Sequence, residues 1–179
     1  MAATLPDLLE ALGGVFVLPG APGWDPAPFL EAPWAPGELR TALAGMVPGP
    51  DLDVAYAGLF IAGRDRAPIR LELSALTAGR LRDETLLASL DAAWRAAGLE
   101  PAGVSADHLG ALLGLLAHLL RMAEDPACEI LARHLLQDRL EPLASHVAEG
   151  LAAPGTGPFH AAAGRVLVQA LALCRTLLA

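Results

Sequence analysis

The residues best suited to chemistry are an adjacent acid and imidazole, Asp107 and His108. Such a pair can transfer a proton, or activate a neighbouring hydroxyl or thiol as a nucleophile. The sequence has no Gly-x-Ser-x-Gly elbow and offers no partnered serine or cysteine for the pair. Two other interpretations stay open: a capping acid beside a half-buried histidine, or the charged mouth of an apolar groove. We therefore expect no enzymatic activity.

Metal and phosphate chemistry are disfavoured by the spacing of the other polar residues. Five histidines lie between positions 108 and 160, but no two are three or four residues apart, as His-Glu-x-x-His requires. His134 and Asp138 are instead spaced as a helix-surface pair. The chain has no lysine and no Gly-x-x-x-x-Gly-Lys loop for a nucleotide phosphate. We expect neither a metal nor a cofactor.

Composition limits both the fold and the partners. The chain has 179 residues, of which 54% are hydrophobic and 4% aromatic, and its formal net charge is −8. Strands prefer β-branched and aromatic residues, so a core of alanine and leucine favours helices packed on helices. An acidic chain is a poor binder of nucleic acid and a reasonable partner for basic peptides.

No secretory signal or membrane-spanning segment is visible. The first basic residue is Arg40, and Asp7 and Glu10 interrupt the first apolar run. The longest apolar run, residues 109–120, is interrupted by His118 and is shorter than the roughly 20 residues that a bilayer requires. The two cysteines show no Cys-x-x-Cys spacing and are typical of reduced thiols. These features predict a soluble cytoplasmic protein without membrane insertion.

Asp107 and His108 lie near the start of a leucine-rich segment, residues 103–124. Ser105 and Asp107 are favourable N-cap residues, and Asp125-Pro126 ends the segment. At about 100° per residue, its leucines occupy one wide face and small residues occupy most of the other. We expect this helix at the centre of the fold, with its small face open to another helix or an added peptide. The preceding linker, residues 98–103, is the predicted hinge.

The remaining segments predict a single all-helical domain over residues 1–179. The proline-rich stretch at residues 19–36 reads as a loop with one helical turn near Phe29, which Trp24 and Trp34 attach to the body. Tyr56 and Phe60 share a face of one helix and form either core packing or an aromatic wall of a groove. No strand is expected. Predicted helices cover residues 5–18, 37–46, 51–61, 82–97, 127–139 (continuing to 151 past a kink at Pro142) and 159–178.

Four motifs in register resemble the TorD/DmsD/NarJ group of chaperones for molybdenum-cofactor redox enzymes. Tyr56-Ala57-Gly58-Leu59-Phe60 is similar to the family's Tyr-x-x-Leu-Phe helix, and Asp107-His108-Leu109 is similar to its Asp-His-Leu motif. His134-Leu135-Leu136 with Pro142, and Pro158-Phe159-His160 at the start of the last helix, resemble two further motifs. The likeness covers approximately residues 51–178.

The resemblance implies an all-helical, non-catalytic and cofactor-free chaperone. Members of the group bind the twin-arginine leader of a molybdoenzyme catalytic-subunit precursor, or its apo form, and assist cofactor insertion, assembly or export. The chain would act as a monomer or a domain-swapped dimer. The implied peptide-binding residues are Asp107, His108, Leu112, Leu115, Tyr56, Phe60 and Glu72.

Two alternatives to a molybdoenzyme chaperone stay open. One is a generic helical adaptor whose groove binds a helix of another protein. The other is an unrecognised enzyme that uses Asp107 and His108, which a deep polar pocket would favour. An apolar groove beside these two residues would favour the chaperone.

Overall fold

The described part of the chain is built from helices, as the composition predicted. A computed structural model describes residues 3–18, 20–61, 68–77, 84–101 and 103–179. Within these ranges there is no strand, and one isolated antiparallel bridge joins Glu72 to His108. The helices are α1 (Leu5–Val17), α2 (Ala27–Leu30), α3 (Gly37–Ala44), α4 (Leu52–Tyr56), α5 (Leu73–Thr77), α6 (Glu84–Ala96), α7 (Leu109–Arg121), α8 (Pro126–Leu135), α9 (Glu141–Leu151) and α10 (Pro158–Leu177).

Helix α7 is the centre of the fold, which confirms the prediction made from its leucines. Every residue from Leu109 to Arg121 is buried except Gly114, His118 and Arg121. Helix α1 packs along it in the antiparallel direction and α8 packs beside it. The apolar residues of both its faces are therefore covered by other helices.

Helices α1 and α7 approach each other closely at two glycines. A Cβ atom on Gly13 would lie 2.9 Å from the Gly110 carbonyl oxygen, and one on Gly110 would lie 2.4 Å from a methyl carbon of Val17. Gly13 therefore allows close packing, which compensates for the weakness that glycine brings to an isolated helix. At the other end of the pair, Arg121 forms ion pairs with Asp7 and Glu10 at 2.8 and 2.7 Å.

The proline-rich segment after α1 is attached to the body as predicted. The indole N–H of Trp24 donates to the Met46 carbonyl at 3.0 Å, and that of Trp34 donates to the Ala3 carbonyl at 2.7 Å. The single turn α2 buries Phe29. Indole groups combine a large apolar area with one donor. Each tryptophan therefore holds the segment both by apolar packing and by a hydrogen bond.

Two helices contain a π-helical turn. Helix α4 continues through Ala57–Ile61 in this form, and Leu136–Leu140 joins α8 to α9. Pro142 is the second residue of α9 and directly follows this π-helical turn, so the helical path continues past it in altered form at the position of the predicted kink. π-helical turns are often found at functional sites.

Several predicted details differ from the structure. Helix α7 begins at Leu109 rather than near residue 105, and its N-cap is His108. Asp51 precedes α4 but its side chain forms no capping hydrogen bond. The predicted helix start at residues 82–83 lies outside the described residues.

In the predicted hinge, Gly98 and Gly103 have φ values of 70° and 76°, which favour glycine.

No helix in the described residues combines the length and the apolar character that crossing a membrane would require.

Candidate functional site

The candidate site is organised by an extended segment, residues 70–72, which we call the ridge. Two antiparallel backbone hydrogen bonds hold it against the start of α7. The Leu109 N–H donates to the Leu71 carbonyl at 2.7 Å, and the Leu73 N–H donates to the Asp107 carbonyl at 3.1 Å. The ridge is thereby fixed beside the Asp107-His108 pair.

Ile69 anchors the other end of the ridge. Its N–H donates to the Leu59 carbonyl, at 2.8 Å, in the π-helical turn that follows α4. Its side chain lies so close to Gly150 of α9 that a Cβ there would be 2.8 Å from Ile69 Cγ1. Three separated parts of the chain therefore determine where the ridge lies, and none of them is a sequence neighbour of the others.

Asp107 is buried and acts as an acceptor for the segment that follows the ridge. Its side chain is part of a residue only 1% exposed. Oδ2 accepts the Ser74 N–H at 2.9 Å, and Oδ1 accepts the Ser105 hydroxyl. Burial raises the pKa of Asp107, but the hydrogen bonds from Ser105 and Ser74 outweigh it and hold that pKa below its usual range. The buried carboxylate is therefore ionised, and each of its oxygens accepts a hydrogen bond.

His108, rather than Asp107, caps α7. Its Nδ1 accepts the Gly110 N–H at 3.1 Å. Burial lowers the pKa of His108 below its usual range, although the charges of Glu72 and Asp107 act in the opposite direction. The neutral ring must then carry its proton on Nε2, because Nδ1 is occupied as an acceptor.

The positions of Asp107 and His108 do not match those of a catalytic dyad. The Asp107 carboxylate binds Ser74 and Ser105, while His108 Nδ1 binds Gly110. A general base is oriented by a hydrogen bond from its imidazole N–H to the acid, and the Asp107–His108 pair lacks that arrangement. The two residues are better suited to building a surface than to transferring a proton.

An aromatic cleft of about 360 Å³ opens on one side of the ridge. The Tyr56 and Phe60 rings form its wall, with centroids 4.8 Å apart. The Tyr56 hydroxyl donates to the Phe16 carbonyl at 2.8 Å, which fixes the ring. Burial, followed by the charge of Glu72, raises the pKa of Tyr56. The cleft is lined by Val17, Tyr56, Phe60, Ile61, Arg70, Leu71, Glu72 and His108.

A polar cleft of about 470 Å³ opens on the other side of the ridge. Arg70 and Glu72 line both clefts, so the ridge is their common wall. The polar cleft is lined by Arg70, Glu72, Ser74, Ala75, Leu87, Ser105 and Asp107. The two clefts together offer apolar and aromatic surface on one side and carboxylates on the other.

His160 packs against the two rings of the aromatic wall and is itself buried. Its ring centroid lies 5.9 Å from that of Phe60 and 6.4 Å from that of Tyr56. The ring is buried, its Nδ1 has no hydrogen-bond partner among the described residues, and burial lowers its pKa to about 4. His160 is therefore a neutral part of the packing that supports the cleft.

The structure brings together most of the predicted site residues. Tyr56, Phe60, Glu72 and His108 line the aromatic cleft, and Asp107 lines the polar cleft with Glu72. Leu112 and Leu115 do not join them, because both are 0% exposed in the core around α7. The aromatic cleft, to which these two leucines do not contribute, lies beside the start of the helix.

Sequence reasoning missed the ridge itself and several lining residues. Arg70 and Ser74 lie in a charged segment without clear periodicity, and Val17 belongs to a helix far away in sequence. The sequence offered one signal, at Ile61, which directly follows the Tyr56–Phe60 face. In the structure this isoleucine is exposed and has no role in the core.

Comparison with known proteins shows the family of the chain. A search of curated proteins found no match. The protein family described as "Nitrate reductase delta subunit" matches residues 33–149, which is well over half of the chain and contains the ridge, the Asp107-His108 pair and most of both cleft linings. The chain belongs to this nitrate reductase delta subunit family, a family of molybdoenzyme maturation chaperones.

Proposed function

We propose that the protein is a cytoplasmic chaperone that binds a molybdenum-cofactor oxidoreductase subunit, through its twin-arginine leader, its apo form, or both. Binding would assist cofactor insertion, assembly or export of that subunit. The observation that carries the proposal is the aromatic cleft, whose wall of Tyr56 and Phe60 meets Glu72 and His108 at the head of α7. Family membership supplies the class of client, nitrate reductase-type molybdoenzyme subunits.

The chemistry of the cleft suits a leader peptide. A leader begins with basic residues and continues with an apolar stretch. The aromatic cleft can accept apolar side chains against Phe60 and Ile61, and Glu72 supplies a negative charge at its edge. The net charge of −8 favours the approach of a basic segment over longer distances.

The linker between α6 and α7 supports a second part of the proposal. Gly98 and Gly103 adopt backbone conformations with positive φ, which few other residues tolerate. We propose that this linker acts as the hinge through which two copies exchange halves. Light scattering after size exclusion, on the wild type and on Gly98→Ala, would show whether the dimer fraction depends on this linker.

Calorimetric titration is the primary test of the proposed function. The ligands are the leader of a nitrate reductase-type molybdoenzyme subunit from the same organism, and the leaderless apo-subunit. We expect saturable binding of at least one of them. If the wild-type protein binds neither, the proposed function is wrong.

A matched pair of variants locates the binding surface. Val54 lies in α4, and Ile61 ends the π-helical turn that continues α4. Both are exposed, at 72% and 65%, but only Ile61 lines the aromatic cleft. We expect Ile61→Ser to weaken client binding several-fold, because it removes apolar contact area, while Val54→Ser leaves it unchanged. Equal effects from the two substitutions would show that the client binds elsewhere.

A further inference from the structure

Glu72 occupies a distinctive position in the two clefts. It is half-buried in the ridge and lines both the aromatic and the polar cleft. Within the described part of the chain, no hydrogen bond or ion pair reaches its carboxylate. A half-buried carboxylate without a partner among the described residues can accept two parallel hydrogen bonds from one guanidinium.

Asp107 lies in the same polar cleft but has no such capacity. Both of its oxygens accept hydrogen bonds from Ser74 and Ser105, and it is almost completely buried. An incoming arginine would have to reach a residue that is only 1% exposed, and displacing the Ser74 N–H would leave a buried donor without a partner, which is costly inside a protein. Asp107 therefore positions the backbone that follows the ridge, and its negative charge acts on the polar cleft without a direct contact to the client.

The balance of charge in the polar cleft sets the number of cations that it can hold. Among the described residues that line the cleft, Glu72 and Asp107 contribute two negative charges, and the exposed Arg70 contributes one positive charge. One further guanidinium would neutralise the lining, whereas a second would meet the repulsion of Arg70. The lining suits a single basic side chain beside Glu72.

We propose that Glu72, rather than Asp107, binds an arginine of the client, and that the client segment crosses the ridge. Its arginine enters the polar cleft, and the apolar residues that follow enter the aromatic cleft against Phe60 and Ile61. This inference rests on the proposed function and adds the direction of the bound segment and the residue that selects its basic side chain.

Binding of synthetic peptides by the full-length protein tests the assignment. The parent peptide carries two adjacent arginines followed by a run of leucines, and a second peptide has glutamines in place of the arginines. We expect Glu72→Gln to weaken binding of the parent peptide by roughly tenfold or more, because hydrogen bonds to charged groups are the strong ones. The same variant should bind the glutamine peptide as the wild type does.

Two further variants separate charge selection from folding. Asp107→Asn should lower affinity for both peptides, because it disturbs the ridge, and its additional effect on the arginine peptide should be smaller than that of Glu72→Gln, because Asp107 contributes charge without a direct contact. Glu124→Gln, an exposed acid at the far end of α7, should change neither affinity. A third peptide with serines in place of the leucines should lose its sensitivity to Ile61→Ser.

The outcomes distinguish this inference from the function on which it rests. If Glu72→Gln affects both peptides equally or not at all, or if the arginine-specific loss in Asp107→Asn equals or exceeds that in Glu72→Gln, the assignment to Glu72 is wrong while the proposed function stands. If the wild type binds the apo-subunit but no peptide, the proposal that a basic and apolar client segment lies across the ridge is wrong, while the proposed function stands. If it binds no client at all, both proposals fall.

Discussion

The Asp107 carboxylate accepts the backbone N–H of Ser74 at 2.9 Å, across a gap of more than thirty residues in sequence. With the Ser105 hydroxyl on its other oxygen, this acid connects the start of α7 to the start of α5. The side chain that most resembled a helix cap or a ligand for a basic peptide is therefore a buried connection between two segments. The shape of both clefts depends on this connection.

Removing the charge of Asp107 should destabilise the fold. In Asp107→Asn, one carboxylate oxygen becomes an NH₂ group, which cannot accept a hydrogen bond. Either the Ser74 N–H or the Ser105 hydroxyl then loses its acceptor, so we expect a loss of about 1–3 kcal/mol in the free energy of unfolding. Urea denaturation measures it, and the exposed Asp138→Asn serves as the control. Because the folded-state pKa of Asp107 is lowered, its contribution is present above pH 3.8 and is lost as the pH falls through the lower folded value. A neutral effect in urea would mean that Asp107 does not hold the ridge.

The sequence predicts the helices well because their signals are local. The spacing of Leu8, Leu12 and Val15 identifies the buried face of α1, and Pro158 marks the first turn of α10. The central position of α7 follows from the same logic, since a helix that is apolar on one side and small on the other can be covered on both.

The candidate site is less predictable because its contacts are not local. Ser105, Asp107 and His108 all precede α7, and N-cap preferences favour the first two. The Ser74 N–H and the Ser105 hydroxyl occupy the Asp107 carboxylate, and nothing near residue 107 in sequence indicates the contact with Ser74. Likewise, periodicity places Leu112 on an apolar face but does not show that other helices cover that face completely.

The cap at His108 can be separated from its place in the cleft. His108→Ala removes the acceptor for the Gly110 N–H and should cost about 0.5–2 kcal/mol of stability. His108→Asn restores a good N-cap and should recover much of that loss, as thermal denaturation would show. Because asparagine is shorter than the imidazole in the aromatic cleft, we expect client affinity to stay reduced in His108→Asn. Full recovery of both quantities would restrict His108 to capping.

Stability should fall as the pH drops below that at which histidine usually titrates. Burial lowers the folded-state pKa of His160 from 6.5 to about 4, so acid protonates the unfolded chain first and favours it. The loss begins near pH 6.5 and is complete near pH 4, and it amounts to on the order of 3 kcal/mol. Urea denaturation at a series of pH values measures it.

The variant His160→Phe isolates this residue, because phenylalanine does not titrate. The slope of stability against pH between 6.5 and 4 should become shallower, whatever the repacking does to stability at neutral pH. A residual slope of the same sign should remain, since burial also lowers the pKa of His108. His134→Gln, at an exposed histidine, serves as the control. An unaltered slope in His160→Phe would show that His160 is protonated in the folded protein near its usual pH.

Two glycines of α7 should respond in opposite directions to the same substitution. At Gly110 a new Cβ would lie 2.4 Å from a Val17 methyl carbon and 2.7 Å from the Gly13 carbonyl oxygen, so Gly110→Ala forces α1 away from α7. We expect a loss of about 1–3 kcal/mol, as for other overpacked sites. At Gly114 a Cβ meets nothing within 4 Å, so Gly114→Ala should stabilise the protein by about 0.5–1 kcal/mol through helix propensity.

Thermal and urea denaturation of the two alanine variants compare one methyl group at two positions of one helix. The substitution is chemically the same at both positions, and only Gly110 lies against α1, so most of the difference between the two variants reports the distance between α1 and α7. That difference also bears on the clefts, because Val17, which the Gly110 methyl would displace, lines the aromatic cleft. Gly110→Ala should therefore weaken client binding while Gly114→Ala does not. Equal stability changes at both glycines would contradict the close contact between the two helices.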